Sequence, residues 1–310
     1  MGTVHRLDTG HATVLLGDAV ASYLATLNHP ESQGTRKAYG STLRALMAEF
    51  GDAAPLTELG GPAGGQQMAE WFTRTWGERK PATWNRNLDA LRSAGHFWHK
   101  EGWMSHDGLV RSISRRTKAP DRTRAMSKAE VEELLTREDI SIRERVLWRL
   151  LYETAARSAE VLRLNVEDLD MANRRAKVKR KGGAVDIIVW QTGTARLLPR
   201  LMKGRTTGPV FLTDRKARVQ LAPGDIDQAT GKARLSYRRA EEMFGQATSG
   251  LTLHQLRHSA LTHAAEAGAN TSTLLAFSGH TSVASLARYA RVSPEALQAW
   301  QQERDPARRR

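Results

Sequence analysis

Between Ala19 and about Arg115, apolar residues recur every three or four positions. Tyr39, Leu43, Leu46, Met47 and Phe50 make one stripe, and Trp84, Leu88, Leu91, Phe97 and Trp98 make a second. Breaks fall at Asn28-His29-Pro30, Gly60-Gly61-Pro62 and Lys80-Pro81. Such spacing puts each stripe on one face of a helix, so residues 19–115 are expected to form an all-α bundle behind an irregular leader, 1–18. Residues 116–125 are polar and basic, contain Pro120 and lack apolar periodicity, as a linker would. The next domain, 126–292, opens on a capping box, Ser127 with Glu130, ahead of Val131, Leu134 and Leu135. Ile142, Val146, Leu147, Leu150 and Leu151 then predict a buried helix.

The period changes after Asn165. Ala176 and Val178 alternate with Arg175, Lys177 and Lys179; after Lys181-Gly182-Gly183, Val185, Ile187 and Val189 alternate with Asp186 and Ile188. This predicts an antiparallel hairpin with glycines at its tip. From Gly193 the chain reads as mainly helical, apart from a proline- and glycine-rich patch, Gly208 to Gly224. In the tail, 293–310, Ser293-Pro294-Glu295 is a helix start, and Ala296, Leu297 and Trp300 give it a short apolar stripe. The expected fold is mainly α with a small antiparallel β-sheet: a helical bundle followed by an α/β domain.

Composition narrows the partners. The 310 residues carry a formal net charge of +14 and no cysteine. Disulfides and thiolate zinc sites are thereby excluded, and a reducing compartment is expected. A polyanion is the natural partner, because lysine and arginine gain affinity by releasing counterions condensed on nucleic-acid phosphates. No stretch approaches the roughly 20 apolar residues of a membrane-spanning helix, and Met1 to Asp18 lacks a signal-peptide core. A cytoplasmic, nucleoid-associated protein is expected.

The residue set richest in chemistry lies near the C-terminus: His254-Gln255-Leu256-Arg257-His258, then Gly279-His280, then Tyr289. Tyrosine is a weak nucleophile at its ordinary pKa of about 10 and needs neighbours that stabilise negative charge. Arginine grips a phosphate with two parallel hydrogen bonds; histidine donates to it or takes the phenolic proton. Taken alone, Tyr289 reads first as a core or rim aromatic, with Val283, Leu286 and Ala290 on one helical face. His254 and His258, four apart, invite a metal, but the glutamate of an HExxH site is absent and Arg257 would repel a divalent ion. His96 and His99 belong to an apolar helix. No phosphate-cradling Gly-x-x-x-x-Gly-Lys-[Ser/Thr] loop occurs.

The ordered set resembles the tyrosine recombinases, the phage-integrase family: HQLRH at 254–258, GH at 279–280, and Tyr289 nine residues after His280. Upstream, Thr154-Ala155-Ala156-Arg157-Ser158-Ala159-Glu160 resembles the family's Thr-Gly-x-Arg-x-x-Glu block. Arg180-Lys181-Gly182-Gly183 resembles its Gly-Lys-Gly turn. Thr35 to Tyr39 and Thr83 to Trp103 resemble the family's SAM-like core-binding domain, which makes 126–292 the catalytic domain. The resemblance implies that Tyr289 is the nucleophile, forming a 3′-phosphotyrosyl bond on double-stranded DNA. It gives Arg157, His254, Arg257 and His280 the phosphate to hold, and Lys181 the leaving oxygen to protonate, with Lys179 or Arg180 as alternatives one or two positions away. Glu160 and His258 would support them. No cofactor and no metal are implied, and the working assembly would be a homotetramer on two DNA sites, each tail docking on a neighbour. Two departures stand out: Ala155 where the family has glycine, and Ser278 where it has leucine. A type IB topoisomerase and a non-catalytic DNA-binding accessory protein remain the alternative readings.

Overall fold

In a computed structural model of the chain, the described residues are 13–29, 32–105, 109–117, 119, 124–180, 183–286, 289, 294–304 and 307. The chain divides into two compact units, Met1–Asp121 and Arg122–Arg310.

The first unit is helical throughout. Its helices are α1 (Leu16–Thr26), α2 (Gln33–Phe50), α3 (Leu56–Gly60), α4 (Pro62–Trp76) and α5 (Pro81–Lys100). The predicted breaks are the ends of these helices. Helix α1 starts inside the stretch expected to be irregular, because Leu16 is itself core and its N–H donates to the Ala54 carbonyl at 2.9 Å. Both apolar stripes face inward, with Leu43, Leu46, Leu88, Leu91 and Trp98 fully buried. Helix α4, outside the two predicted stripes, adds Met68, Trp71 and Phe72. Edge-on aromatic contacts then run from Phe50 to Trp71 (5.7 Å), Trp71 to Trp76 (5.0 Å) and Phe72 to Trp84 (4.8 Å). Helices α3 and α4 meet so closely at Gly64 that a Cβ there would overlap the Glu58 carbonyl. The end of the unit is tied to α5: Trp84 donates to the Ser114 carbonyl (3.0 Å), and Asn85 exchanges two hydrogen bonds with the Arg116 backbone (2.8 Å each). Ser114 and Arg116 are thus anchored. Residues 118 and 120–123 of the expected linker lie outside the described residues.

The second unit is built around α7 (Ile142–Thr154), whose Val146, Leu147, Leu150 and Leu151 are completely buried. The capping box forms as read, opening α6 (Lys128–Thr136). After α8 (Ser158–Leu162) come the strands β1 (Leu169–Asp170), β2 (Arg175–Lys179) and β3 (Val185–Val189), an antiparallel sheet in that order. Helices α9 (Thr192–Met202), α10 (Tyr237–Ala247), α11 (Leu253–Glu266), α12 (Thr271–Ser278) and α13 (Pro294–Arg304) follow. A 3₁₀ turn, Val283–Leu286, lies between the last two. A second antiparallel sheet, β4 (Leu212–Lys216), β6 (Lys232–Arg234) and β5 (Ile226–Asp227), in that spatial order, occupies a region expected to be irregular or helical. Its strands are too short, and too polar, to show an alternation.

The hairpin forms, but its second strand faces opposite to its apolar pattern. Ile188 is buried, whereas Val185, Ile187 and Val189 are about half exposed or more. Register decides this. Ala176 pairs with Ile188 and Val178 with Asp186, and cross-strand partners share a face, so burying Ala176 and Val178 brings Ile188 inward. Among the described residues no helix is long and apolar enough to cross a membrane, and no three His, Asp or Glu side chains gather as a metal-binding group.

Candidate active site

Four of the motif segments meet where α7 ends. The helix stops because Ala155 takes the left-handed conformation (φ +46°). That is the position where the resembling block carries glycine, and a side chain there costs about 1–2 kcal/mol. The turn reverses the chain and sets Arg157 at the entrance to α8. Glu160, with a 95% buried side chain, holds Arg157 twice: Oε2 accepts from the Arg157 backbone N–H (3.0 Å) and Oε1 from its guanidinium (2.8 Å). The Arg157 side chain itself remains 38% exposed.

Arg257 comes from the second turn of α11, a helix begun by a reciprocal Thr252–Gln255 capping box absent from the sequence reading. It is 5% exposed. Its guanidinium donates to the Ala155 carbonyl at the end of α7, to the Ser278 carbonyl at the end of α12 (2.8 Å), and faces His280 Nε2 at 3.3 Å. Helix C-termini present carbonyls that lack helical partners, and a cation is favoured there. One arginine thereby joins two helix ends to the Gly279–His280 turn. Burial first, then the Arg157 charge, pushes the Arg257 pKa down to about 10. It stays protonated at neutral pH, and an arriving phosphate would offset the penalty that burial imposes.

Gly279 closes α12 in the left-handed conformation (φ +61°). The preceding Ser278, fully buried, accepts at Oγ from the His280 N–H (3.2 Å). The departure from leucine therefore supplies a polar brace for His280. Tyr289 is 7% exposed, packed with Ala155, Ala260, Leu261, Leu274 and Leu286. Its backbone N–H donates to the Leu286 carbonyl (2.7 Å), and its ring lies 5.2 Å from that of His258. Val283, expected on the same apolar face, is 59% exposed; Val283–Leu286 form a short 3₁₀ turn, and Ala290 lies outside the described residues.

Arg157, Glu160, Arg257, His258, His280 and Tyr289 are thus gathered around the α7 terminus. His254 stands exposed on the first turn of α11. Lys181 lies outside the described residues. Of its two alternatives, Lys179 is on the outer, solvent face of β2. Arg180 is 9% exposed and turned inward, its guanidinium bonded to Glu160 (2.6 Å) and Asp186 (3.0 Å). Arginine does not give up its proton in proteins, so Arg180 is no general acid. From the sequence alone, Arg180 is only an alternative to Lys181. The signal available was a lone carboxylate, Asp186, on the facing strand.

Behind the site, His263 of α11 lies between the Tyr152 hydroxyl (2.8 Å) and the Met126 carbonyl (2.9 Å), and Met126 N–H donates to Ser259 (2.8 Å). The entry to the second unit is therefore fastened to the helix that bears Arg257.

Known proteins resemble this chain in sequence and in fold. The profile of the phage integrase family matches residues 124–296. Tyrosine recombinase XerD of Mycobacterium leprae is 30% identical over 227 residues, 68% of this chain and 70% of its own. Tyrosine recombinase XerC of Pelobacter propionicus is 25% identical over 281 residues, 86% of this chain and 87% of its own. Among solved structures, the XerH site-specific recombinase bound to its palindromic difH substrate superposes with a TM-score of 0.66 at 16% identity, covering 94% of this chain and 95% of that one. The lambda integrase bound to DNA gives 0.63 at 17% identity, covering 90% and 96%.

Proposed function

Because the chain belongs to the phage integrase family and is a tyrosine-type site-specific DNA recombinase, we propose that Tyr289 is its nucleophile and that the residues gathered at the α7 terminus hold the scissile phosphate. The Tyr289 hydroxyl attacks phosphorus, its proton passing to His258, and the bond to the 5′-oxygen breaks. The products are a 3′-phosphotyrosyl bond and a 5′-hydroxyl, the departing oxygen taking a proton from Lys181. Arg157, Arg257, His254 and His280 neutralise the pentacoordinate transition state. Preorganised charge of this kind is usually the largest catalytic contribution. A 5′-hydroxyl from another strand then attacks the phosphotyrosine, which restores Tyr289 and exchanges strands without an external energy source.

The observation that carries this reading is the convergence of two arginines of different character with a histidine-flanked tyrosine on one helix end. Trapping on a nicked suicide substrate tests it. Wild type should give a gel-stable protein–DNA adduct and Tyr289→Phe none, with DNA affinity nearly unchanged. An adduct from the variant would name another nucleophile. Transfer between two synthetic sites separates recombination from simple resealing.

The reading extends to assembly. Leu297 and Trp300 of α13 are about half exposed, which supports a tail that docks on a neighbouring protomer within a homotetramer on two DNA sites. Removing residues 293–310 should spare DNA binding by the monomer and weaken synapsis. Unchanged assembly in analytical ultracentrifugation would mean that the tail does not link protomers. Such an enzyme would act on the nucleoid in the cytoplasm.

A further inference from the structure

Arg180 occupies the place of the first glycine in the turn that carries Lys181, and what it does there belongs to this chain's own sequence. We propose that Arg180 is a positioning residue for the cleavage reaction: it holds Glu160, and through Glu160 sets Arg157 for the scissile phosphate. The proposal rests on the reading that Arg157 binds that phosphate.

Three observations carry it. First, Glu160 is shared. Its Oε2 accepts from Arg180 Nη1 (2.6 Å) and from the Arg157 backbone N–H (3.0 Å), while Oε1 accepts from the Arg157 side chain (2.8 Å). Without Arg180, Glu160 would direct its whole charge at Arg157, which is more exposed than Arg180 or Arg257. With it, the carboxylate is divided between two guanidiniums, and Arg157 keeps more of its positive field for a ligand. Secondly, Arg180 is held at its side chain and its backbone, although its Nη2, within ion-pair distance of Asp186, makes no hydrogen bond. Asp186 Oδ2 lies 3.0 Å from both Nε and Nη2, and the backbone continues the β2–β3 ladder through Arg180 N–H to the Ala184 carbonyl (2.8 Å). Its guanidinium also lies flat on Gly279. A Cβ there would overlap Cζ and come within 2.5 Å of Nε and 2.6 Å of Nη1, so Gly279 is required by this contact as well as by its φ. Thirdly, a cation at 9% exposure is costly to desolvate and an apolar side chain of that size would be cheaper. A buried arginine that contacts the Arg157 brace on one side and the residue before His280 on the other fits a charge kept for the site.

The test compares Arg180→Gln, Arg180→Lys, Glu160→Gln and the Arg180→Gln/Glu160→Gln double variant in suicide-substrate cleavage, with melting temperature and DNA affinity measured for each. Arg180→Gln is expected to slow cleavage about 10- to 100-fold, as loss of a supporting partner does elsewhere, at unchanged DNA affinity. Arg180→Lys, which keeps a cation beside Glu160, should recover part of the loss. The double variant should be no slower than Glu160→Gln alone, since both substitutions break one chain of contacts. The defect should persist on a substrate whose leaving 5′-oxygen is sulfur. Cleavage by Arg180→Gln within twofold of wild type overturns the proposal. So does multiplication of the two defects, or rescue by sulfur, which would place Arg180 behind Lys181 instead. Equal impairment of the Gln and Lys variants with equal loss of melting temperature would mark a purely structural residue. Should Arg180→Gln not fold, Arg180→Lys decides alone: slower cleavage at unchanged melting temperature supports the proposal, and wild-type cleavage refutes it. Arg157→Ala and Tyr289→Phe run in parallel. If either still cleaves normally, the site reading fails; if both are inactive while Arg180→Gln is normal, only this inference fails.

Discussion

The two units handle buried polarity in opposite ways. Among the described residues of the first unit, the polar side chains below a tenth exposed are neutral: Thr42, Asn85 and Asn87. Thr42 donates to Asn87 at 2.9 Å, and the Trp98 ring N–H reaches the Ala19 carbonyl at 2.8 Å. Among the described residues, every carboxylate, guanidinium and imidazole buried to that degree belongs to the second unit: Arg143, Glu153, Glu160, Arg180, Asp227, Arg257 and His263. Apolar burial stabilises without direction, whereas a buried charge is expensive unless it is paired. On the proposed function, a first unit that only presents a surface to DNA would have no need of the second kind. A fold that must neutralise a transition state keeps cations partly dehydrated, where their field is strong.

Substitutions at the centre of each unit sharpen that contrast. The largest stability effect belongs to the first unit. Trp98→Ala removes a fully buried indole and should cost about 3–5 kcal/mol, seen as early unfolding of that unit in thermal or denaturant melts. A loss below about 1 kcal/mol would mean that its core is looser than the packing indicates. Within the second unit, Arg257→Ala should lower cleavage about 10²–10³-fold. It should also destabilise, because the Ala155 and Ser278 carbonyls lose their buried donor, at about 1–3 kcal/mol for such a group. Arg157→Ala should lower cleavage comparably yet shift stability by less than about 1 kcal/mol, since its ion pair is partly exposed. Equal stability losses for the two arginines would erase the distinction between a built-in cation and one displayed at the surface.

A smaller effect is expected from His263. Burial pushes its pKa below the ordinary 6.5, the Met126 carbonyl acting in the opposite direction. As pH falls, the unfolded chain takes up this proton first. The stability owed to neutral His263 is therefore complete above about pH 6.5 and is lost as pH drops through the lower, folded value. Melting temperature should fall between pH 7.5 and 5, less steeply in His263→Gln; equal slopes would show that other groups govern acid sensitivity. Smallest of all is Ala155→Gly. Relief of the left-handed strain is offset by a lost buried methyl and by added backbone freedom, so the net change should stay within about 1 kcal/mol. A larger gain would mean that the turn before Arg157 is under real strain.

Much of this protein is legible in its sequence. Helical spacing, proline and glycine breaks and one capping box marked out the bundle, α6, α7 and the β2–β3 hairpin, since these signals act within a few residues of one another. The functional motif could be read for a related reason: His254, Arg257, His280 and Tyr289 keep their own spacing, whatever else surrounds them. Other features depended on partners far away in the chain. Ile188 rather than its three apolar neighbours faces the core because Ala176 across the ladder does. Val283 is exposed, in a segment that forms a 3₁₀ turn. Ser278, which looked like a mere departure from leucine, braces His280, and Arg180, which looked like one more charge in a basic run, is buried between Glu160, Asp186 and Gly279. A side chain's identity states what it can bond to. Whether it is buried, and against which of 310 residues, was decided by tertiary packing, because burial and ion pairing join positions that no local pattern connects.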